Sequence, residues 1–241
     1  MSVFNLKKAP PVGAFFVFAL AGLWLQPAQA DSCAPPPGAH TVKVRYVHDG
    51  DTLVLADNRR IRLIGINTPE LGSEDQPDQP LAVRARDQLR QLIFTHNGQV
   101  QLLTGVQSRD SYGRTLANLW LPDGSSLSAA LLQAGLGWLV AIPPDTRFLD
   151  CYQRAEARAR TANLGVWKNS TYAVRASTDL KLRDQGFLRV SGRIVRVNRA
   201  AGATWINLQG RFAIRIPDKD IDSFRPAPDR SWIGRKIEVS G

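Results

Sequence analysis

The sequence predicts an α+β protein, mainly β: a five-stranded barrel of the OB type with about three packed helices, then a small, basic, β-rich OB-like unit. Two observations carry this. Between His40 and Trp167 the hydrophobic period switches in the order β-β-β-α-β-β-α-α, and five short strands split around one helix suit Greek-key closure. After a polar, aperiodic stretch at 168–186, strand-like alternation resumes and runs to the end of the chain. A split α+β sheet is the competing arrangement for the first part.

In chain order, APPPG at 34–38 leads into three strand-like runs at roughly 41–48, 51–57 and 60–67. HDGDT at 48–52 joins the first two, and Asp49-Gly50 is a hairpin-turn signal. The loop TPELGSEDQPDQP, dense in turn formers and acids, precedes an amphipathic helix marked by Leu81, Ala85, Leu89, Leu92 and Ile93, with Asp78 as its expected cap. QVQLLTGV and TLANLWL read as strands. SLSAALLQAG is a short helix closed by Gly135, and DTRFLDCYQRAEARARTANLG a third helix ended by Gly165. The expected divisions are a leader at 1–30, a first domain at 31–167, a linker at 168–186 and the basic unit at 187–241. That last unit ends on a strand, so either its barrel is incomplete or the natural chain runs further.

The leader reading rests on Lys7 and Lys8, an apolar core (VGAFFVFALAGLWL) and the small-residue site AQA at 28–30. It predicts export to periplasm or medium, a mature chain starting near Asp31, and no stable membrane insertion after cleavage; the apolar run is short for a span. Of the net charge of +10, the leader's two lysines account for 2, leaving +8 on the mature chain. A basic exported protein has polyanions as natural partners. Arg189, Arg193, Arg196, Arg199, Arg211 and Arg215, with Trp205, fit such a partner in the C-terminal unit. An isolated cysteine pair in an oxidising compartment is more often joined than free, so a Cys33–Cys151 disulfide is expected, with a buried thiol at Cys151 as the alternative. Two cysteines and three histidines do not make a structural zinc site.

Asp51 sits where a strand would favour a β-branched or aromatic residue, and a turn needs only Asp49. RLIGINTPE at 62–70 runs a strand straight into a Thr-Pro-Glu turn, and DSYGR at 110–114 puts Arg114 at the start of another strand. If strands one and three neighbour each other, Asp51 and the Asn67-Thr68 end of strand three converge at one end of the barrel. One carboxylate, one side-chain amide and one backbone carbonyl, completed by water, suit a hard cation such as Ca²⁺. With Glu70, Arg62 and Arg114 nearby, this is a phosphodiester site in outline.

DGDT, RLIGINTPE, DSYGRTLANLWLPDGSSLSAALLQAGLGWL and the closing GVW together resemble the staphylococcal nuclease-like (thermonuclease) family over residues 41 to about 167. The resemblance implies an OB-fold barrel with three helices, and Ca²⁺-dependent hydrolysis of DNA and RNA to 3′-phosphate and 5′-hydroxyl ends. It implies Asp51, Asn67 and Thr68 as metal positions, Thr68 through its backbone carbonyl, and Glu70 as the catalytic carboxylate. Arg62 and Arg114 become the phosphate-binding arginines, Tyr112 lies near the nucleotide's terminal phosphate, and Asp49 is close to the metal without ligating it. Two positions depart from the family pattern. Asn67 replaces a metal-binding aspartate, which implies weaker Ca²⁺ binding or an altered metal preference. Ala141 and Pro143 replace two tyrosines that line the nucleotide pocket. The rival expectation is a nucleic-acid-binding protein on the same barrel without turnover, and a monomer is favoured.

Overall fold

A computed structural model describes residues 33–184, 186–224 and 226–240; the leader lies outside the described residues. The first part contains β1 His40–Val47, β2 Thr52–Leu55, β3 Arg60–Leu63, β4 Ile66–Asn67, α1 Ala82–Thr95, β5 Gln99–Arg109, β6 Thr115–Trp120, α2 Leu127–Gln133, β7 Trp138–Leu139 and α3 Leu149–Thr161. Five of these strands close a barrel in the order β1-β2-β3-β6-β5, antiparallel except for the parallel pairing of β3 with β6. Strands β1 and β3 are therefore not the neighbours expected: β2 lies between them, and Asp51 meets Thr68 because the hairpin turn before β2 packs against the chain just past β4. Period-two alternation decides which side chains fill it. Val44, Leu53, Leu55, Ile61, Leu63, Val100, Leu102, Ala117 and Leu119 are all buried.

Helix α1 covers the barrel with Ala82, Ala85, Leu89 and Ile93. The expected cap does not form. Leu81 precedes the helix in the left-handed region (φ 72°), and no side chain caps it. Asp78 instead accepts the Gly72 N–H at 2.7 Å, because the acidic loop closes on itself before the helix begins. Ser126 caps α2 by accepting the Ala129 N–H.

The strand expected over 60–67 is two strands. Gly65 turns at φ +86°, and a Cβ there would collide with the Tyr152 ring of α3. Past this turn β4 leaves the barrel and pairs antiparallel with β7, setting Asn67 opposite Trp138. Cys33 and Cys151 are joined, tying the tail to α3 across 118 residues, and the Trp120 indole N–H donates to the Cys33 carbonyl.

A 3-10 turn at Gly165–Trp167 closes the first part, and the stretch read as a linker carries another at Ser170–Tyr172 and the short β8, Arg175–Ala176. Beyond it come β9 Arg189–Ala200, β10 Ala203–Leu208, β11 Ala213–Pro217 and β12 Lys236–Ser240. They form a sheet in the order β11-β10-β9-β12, with β8 parallel to β9. Among the described residues this sheet stays open at β11 and β12, the incomplete form of the β-rich unit expected from the sequence. It has its own core of Val190, Ile194, Val197, Ile206, Leu208 and Ile216.

A smaller cluster joins the two parts: Trp138, Val166 and Tyr172, with Leu81, Trp167 and Phe187 packed against them. Tyr172 donates its hydroxyl to the Pro80 carbonyl at 2.8 Å. Glu238 of β12 bridges Arg189 (2.8 Å) and Arg160 of α3 (3.0 Å). No helix among the described residues is long and apolar enough to cross a membrane.

Candidate active site

The HDGDT segment explains itself residue by residue. Asp49 Oδ1 accepts the N–H groups of Asp51 (2.9 Å) and Thr52 (2.6 Å), a turn closed by a side chain. The N–H groups of His48 and Asp49 both donate to the Thr52 carbonyl, at 2.9 and 3.2 Å. Gly50 is needed for closeness: a Cβ would sit 2.6 Å from Thr68 Oγ1 and 2.7 Å from Ala85 Cβ. The turn therefore presses against α1 and the Thr68 strand end, and delivers Asp51 to the barrel mouth only 2% exposed.

Both oxygens of Asp51 are engaged. Oδ2 accepts the Thr68 N–H (2.9 Å) and hydroxyl (3.2 Å), while Oδ1 accepts the Thr52 hydroxyl (3.2 Å) and lies 3.1 Å from Arg62 Nε. Burial pushes this carboxyl above the usual range; Arg62 opposes the rise and the Asp49 charge adds to it.

The two arginines are used differently. Arg62 Nη1 donates to the carbonyls of Leu63 and Ile66, both at 2.7 Å, and Nη2 to Asn67 Oδ1 at 3.0 Å. With the Asp51 contact, four of about five N–H donors of a guanidinium are committed. The bend at Gly65 makes this possible by curling Ile66 and Asn67 back over the side chain. Arg114 gives Nε to Asp110 (2.6 Å) and Nη1 to Thr52 Oγ1 (3.2 Å), leaving about three donors uncommitted among the described residues. Thr52 thus relays Arg114 to the same carboxylate that Arg62 touches directly. Asp110 also accepts the N–H groups of Tyr112 and Arg114, each at 2.9 Å. Partial burial pushes the Asp110 carboxyl up, but the Arg114 hydrogen bonds outweigh it and hold it below the usual range.

Glu70 is exposed at the rim, with its N–H held by Gln79 Oε1 at 2.9 Å. Loss of water on its pocket side, then the charges of Asp51 and Asp49, push its carboxyl above the ordinary range, against Arg62 and Arg114. Tyr112 is 79% exposed on its turn, with the Arg114 guanidinium 5.5 Å from its ring centre. Asn67 is brought to the site, but its amide oxygen already accepts from Arg62.

Beside the arginines opens a cleft of about 370 Å³, walled by Gly65, Gln107, Val140 and Ile142. Between Ala141 and Pro143, Ile142 stands 63% exposed, so the wall there is aliphatic. Asp145 fastens this wall to β5 by accepting the N–H groups of Val106 (2.6 Å) and Gln107 (3.1 Å).

Sequence reasoning missed four supporting residues: Thr52, Asp110, Asp145 and Gln79. Thr52 and Asp110 stand inside the motifs that singled out their neighbours; Asp145 and Gln79 carry no local signal. The structure brings the Asp51 carboxylate, the Asn67 amide and the Thr68 backbone together, Asn67 through Arg62 and Thr68 by its own N–H and hydroxyl on Asp51. Among the described residues no three His, Cys, Asp or Glu side chains cluster as metal ligands. A hard cation fits the chemistry of an oxygen-only donor set built around a buried carboxylate.

Comparison with known proteins gives the family. Residues 60–169 match the model described as staphylococcal nuclease homologue; Arg62, Asn67, Thr68, Glu70, Tyr112 and Arg114 fall inside the match, and Asp49 and Asp51 precede it. The chain is 31% identical to a thermonuclease of Staphylococcus intermedius over 128 residues, covering 52% of this chain and 74% of that protein. It is 30% identical to a thermonuclease of Staphylococcus hyicus over 132 residues, 54% and 76% of the two chains. It is also 30% identical over 128 residues to endonuclease YncB of Bacillus subtilis, covering 52% of this chain and 60% of that one. A barrel with two arginines gathered on one buried carboxylate, and relatives of this kind, give one answer: the chain belongs to the staphylococcal nuclease homologue family and is a nuclease, a hydrolase of phosphodiester bonds.

Proposed function

We propose that the protein is an exported, Ca²⁺-dependent nuclease that hydrolyses both DNA and RNA, leaving 3′-phosphate and 5′-hydroxyl ends. The observation that carries the reading is the convergence on Asp51, which Arg62 reaches directly and Arg114 through Thr52. Asp51, the Thr68 carbonyl and the Asn67 amide would hold the cation. When bound, it supplies positive charge against the phosphate oxygens and the attacking oxygen.

The rest falls to the chain's own side chains. Arg114, with most of its donors uncommitted, takes the phosphate oxygens in a forked contact; Arg62 offers its remaining N–H and chiefly holds Asp51 and Asn67 in place. Glu70, with its pKa raised, accepts a proton from water as the water oxygen bonds to phosphorus and the bond to the 5′-oxygen breaks, the departing oxygen taking a proton from solvent to become the 5′-hydroxyl. The aliphatic wall at Ile142 gives a base apolar contact without an aromatic face, so affinity for single nucleotides is expected to be modest. The leader sequence supports export, and the family likeness supports nucleic acid as substrate.

The test is cleavage of single-stranded DNA, duplex DNA and RNA by the purified mature chain, in Ca²⁺, in Mg²⁺ and in chelator, beside Glu70→Ala. Ca²⁺-dependent cleavage that the variant lacks is the expected result. Cleavage that persists in chelator, or in Glu70→Ala, would overturn the metal or the catalytic assignment respectively.

A further inference from the structure

We infer that the outer face of the C-terminal sheet is a second nucleic-acid contact surface, which holds a single strand by stacking on Trp205 between unpaired arginines. Strands β9, β10 and β11 together carry five arginines and no acidic residue. Register decides which of these face outward. Val197, Ile206 and Ile214 are cross-strand neighbours on the core side. One residue along, Asn198, Trp205 and Arg215 are aligned on the opposite face, and the next row is Arg196, Asn207 and Ala213. The sheet therefore presents a tryptophan flanked by two arginines and two amides, opposite a complete apolar core.

The arginines of this unit are not equivalent. Arg189 is buried against Glu238, Arg199 pairs with Asp218 at 3.0 Å, and Arg193 donates to the Gly234 carbonyl. Arg196 and Arg215 are exposed, and among the described residues neither has an acidic partner. Trp205 is partly exposed, and its indole N–H donates to the Ala200 carbonyl at 3.2 Å, which orients the ring. Solubility would be served by charge anywhere. Uncompensated arginines on both sides of an oriented aromatic form a stacking platform within a positive field, the arrangement that suits an unpaired base and its neighbouring phosphates. A duplex keeps its bases stacked and offers no face to the ring. The occupant is thus a single strand of DNA or RNA, and the surface lies outside the Asp51 site.

The inference does not depend on hydrolysis, since a folded chain that never cleaves still tests it. The probe is a fluorescent 20-nucleotide single strand, titrated in chelator with the full mature chain carrying Glu70→Gln, so that nothing is cut. Trp205→Ala is expected to weaken binding about tenfold, the scale of one lost stacked base, and Trp205→Phe to restore most of it. Arg196→Gln with Arg215→Gln is expected to reduce the slope of log affinity against log salt by about 1.4, two phosphate contacts on a single strand. Hydrolysis of a dinucleotide, too short to reach a second surface, should be unchanged when these substitutions are made in the Glu70 chain. Unchanged affinity and salt slope in the arginine pair would overturn the proposal; those exposed positions test it even if Trp205→Ala fails to fold. Equal weakening toward base-free polyphosphate in Trp205→Ala would also overturn it, because the surface would then be reading charge alone.

Discussion

Replacing Arg62 should cost stability as well as turnover, and the size follows from what the side chain touches. Its guanidinium is 15% exposed and the Asp51 carboxylate 3%, so the pair is buried. Arg62→Gln leaves that carboxylate without its cation and frees the carbonyls of Leu63 and Ile66. Breaking one side of a buried pair typically costs about 3–5 kcal/mol, against a total of about 5–15 kcal/mol for a domain. Asp51→Asn keeps a polar group of the same shape and leaves Arg62 its contacts with the two carbonyls and Asn67, so it should cost about 1–3 kcal/mol. In the double variant no charge is stranded, and its loss should fall short of the sum by about 1–3 kcal/mol. The assay is equilibrium urea unfolding in chelator at pH 7 for the four proteins of this cycle. A loss below about 1 kcal/mol in Arg62→Gln, as for an exposed ion pair, would refute the argument. So would strict additivity.

Other outcomes separate chemistry from architecture. Glu70→Gln, on an exposed side chain, should lose turnover by at least about 100-fold with unfolding unchanged within about 0.5 kcal/mol, measured by cleavage rate and urea midpoint. Asn67→Asp should bind Ca²⁺ more tightly by calorimetry, since it adds a charge to the oxygen set; unchanged affinity would remove Asn67 from the ligands. Burial pushes the Tyr172 phenol up from 10.0 to about 12. Its unfolded form therefore ionises first as pH rises, and stability is whole below about pH 10 and declines toward 12. Tyr172→Phe should flatten that alkaline decline while costing about 0.5–1.5 kcal/mol at pH 7 for the lost bond to Pro80. Reduction of the Cys33–Cys151 bridge, which spans 118 residues, should lower stability by about 2–5 kcal/mol in a thermal or urea melt.

Much of the barrel was legible because alternation in segments such as TLVL and RIRL maps directly onto a closed sheet. What alternation cannot register is a bend imposed from elsewhere. Gly65 splits the third strand because the Tyr152 ring, 87 positions later, occupies the space where a side chain would go. The cap on α1 misled for a similar reason: Asp78 has the right chemistry, and the loop claimed it for Gly72. In the site, Asp51, Arg62, Glu70 and Arg114 could be found as residues that their local structure did not require. The division of labour between the arginines could not. That depends on the carbonyls of Leu63 and Ile66 turning toward Arg62 and not toward Arg114, a fact of backbone direction that no side-chain pattern records.

The cluster around Trp138 separates two meanings of a domain edge. The family match stops at residue 169. Cooperativity ignores that line. Trp138 backs the strand pair whose other member is Asn67, and its covering rings come from Tyr172 and Phe187, both past the limit. Inheritance and folding thus partition this chain at different points. Residues past 169 are part of the packing that supports the strand pair carrying Asn67.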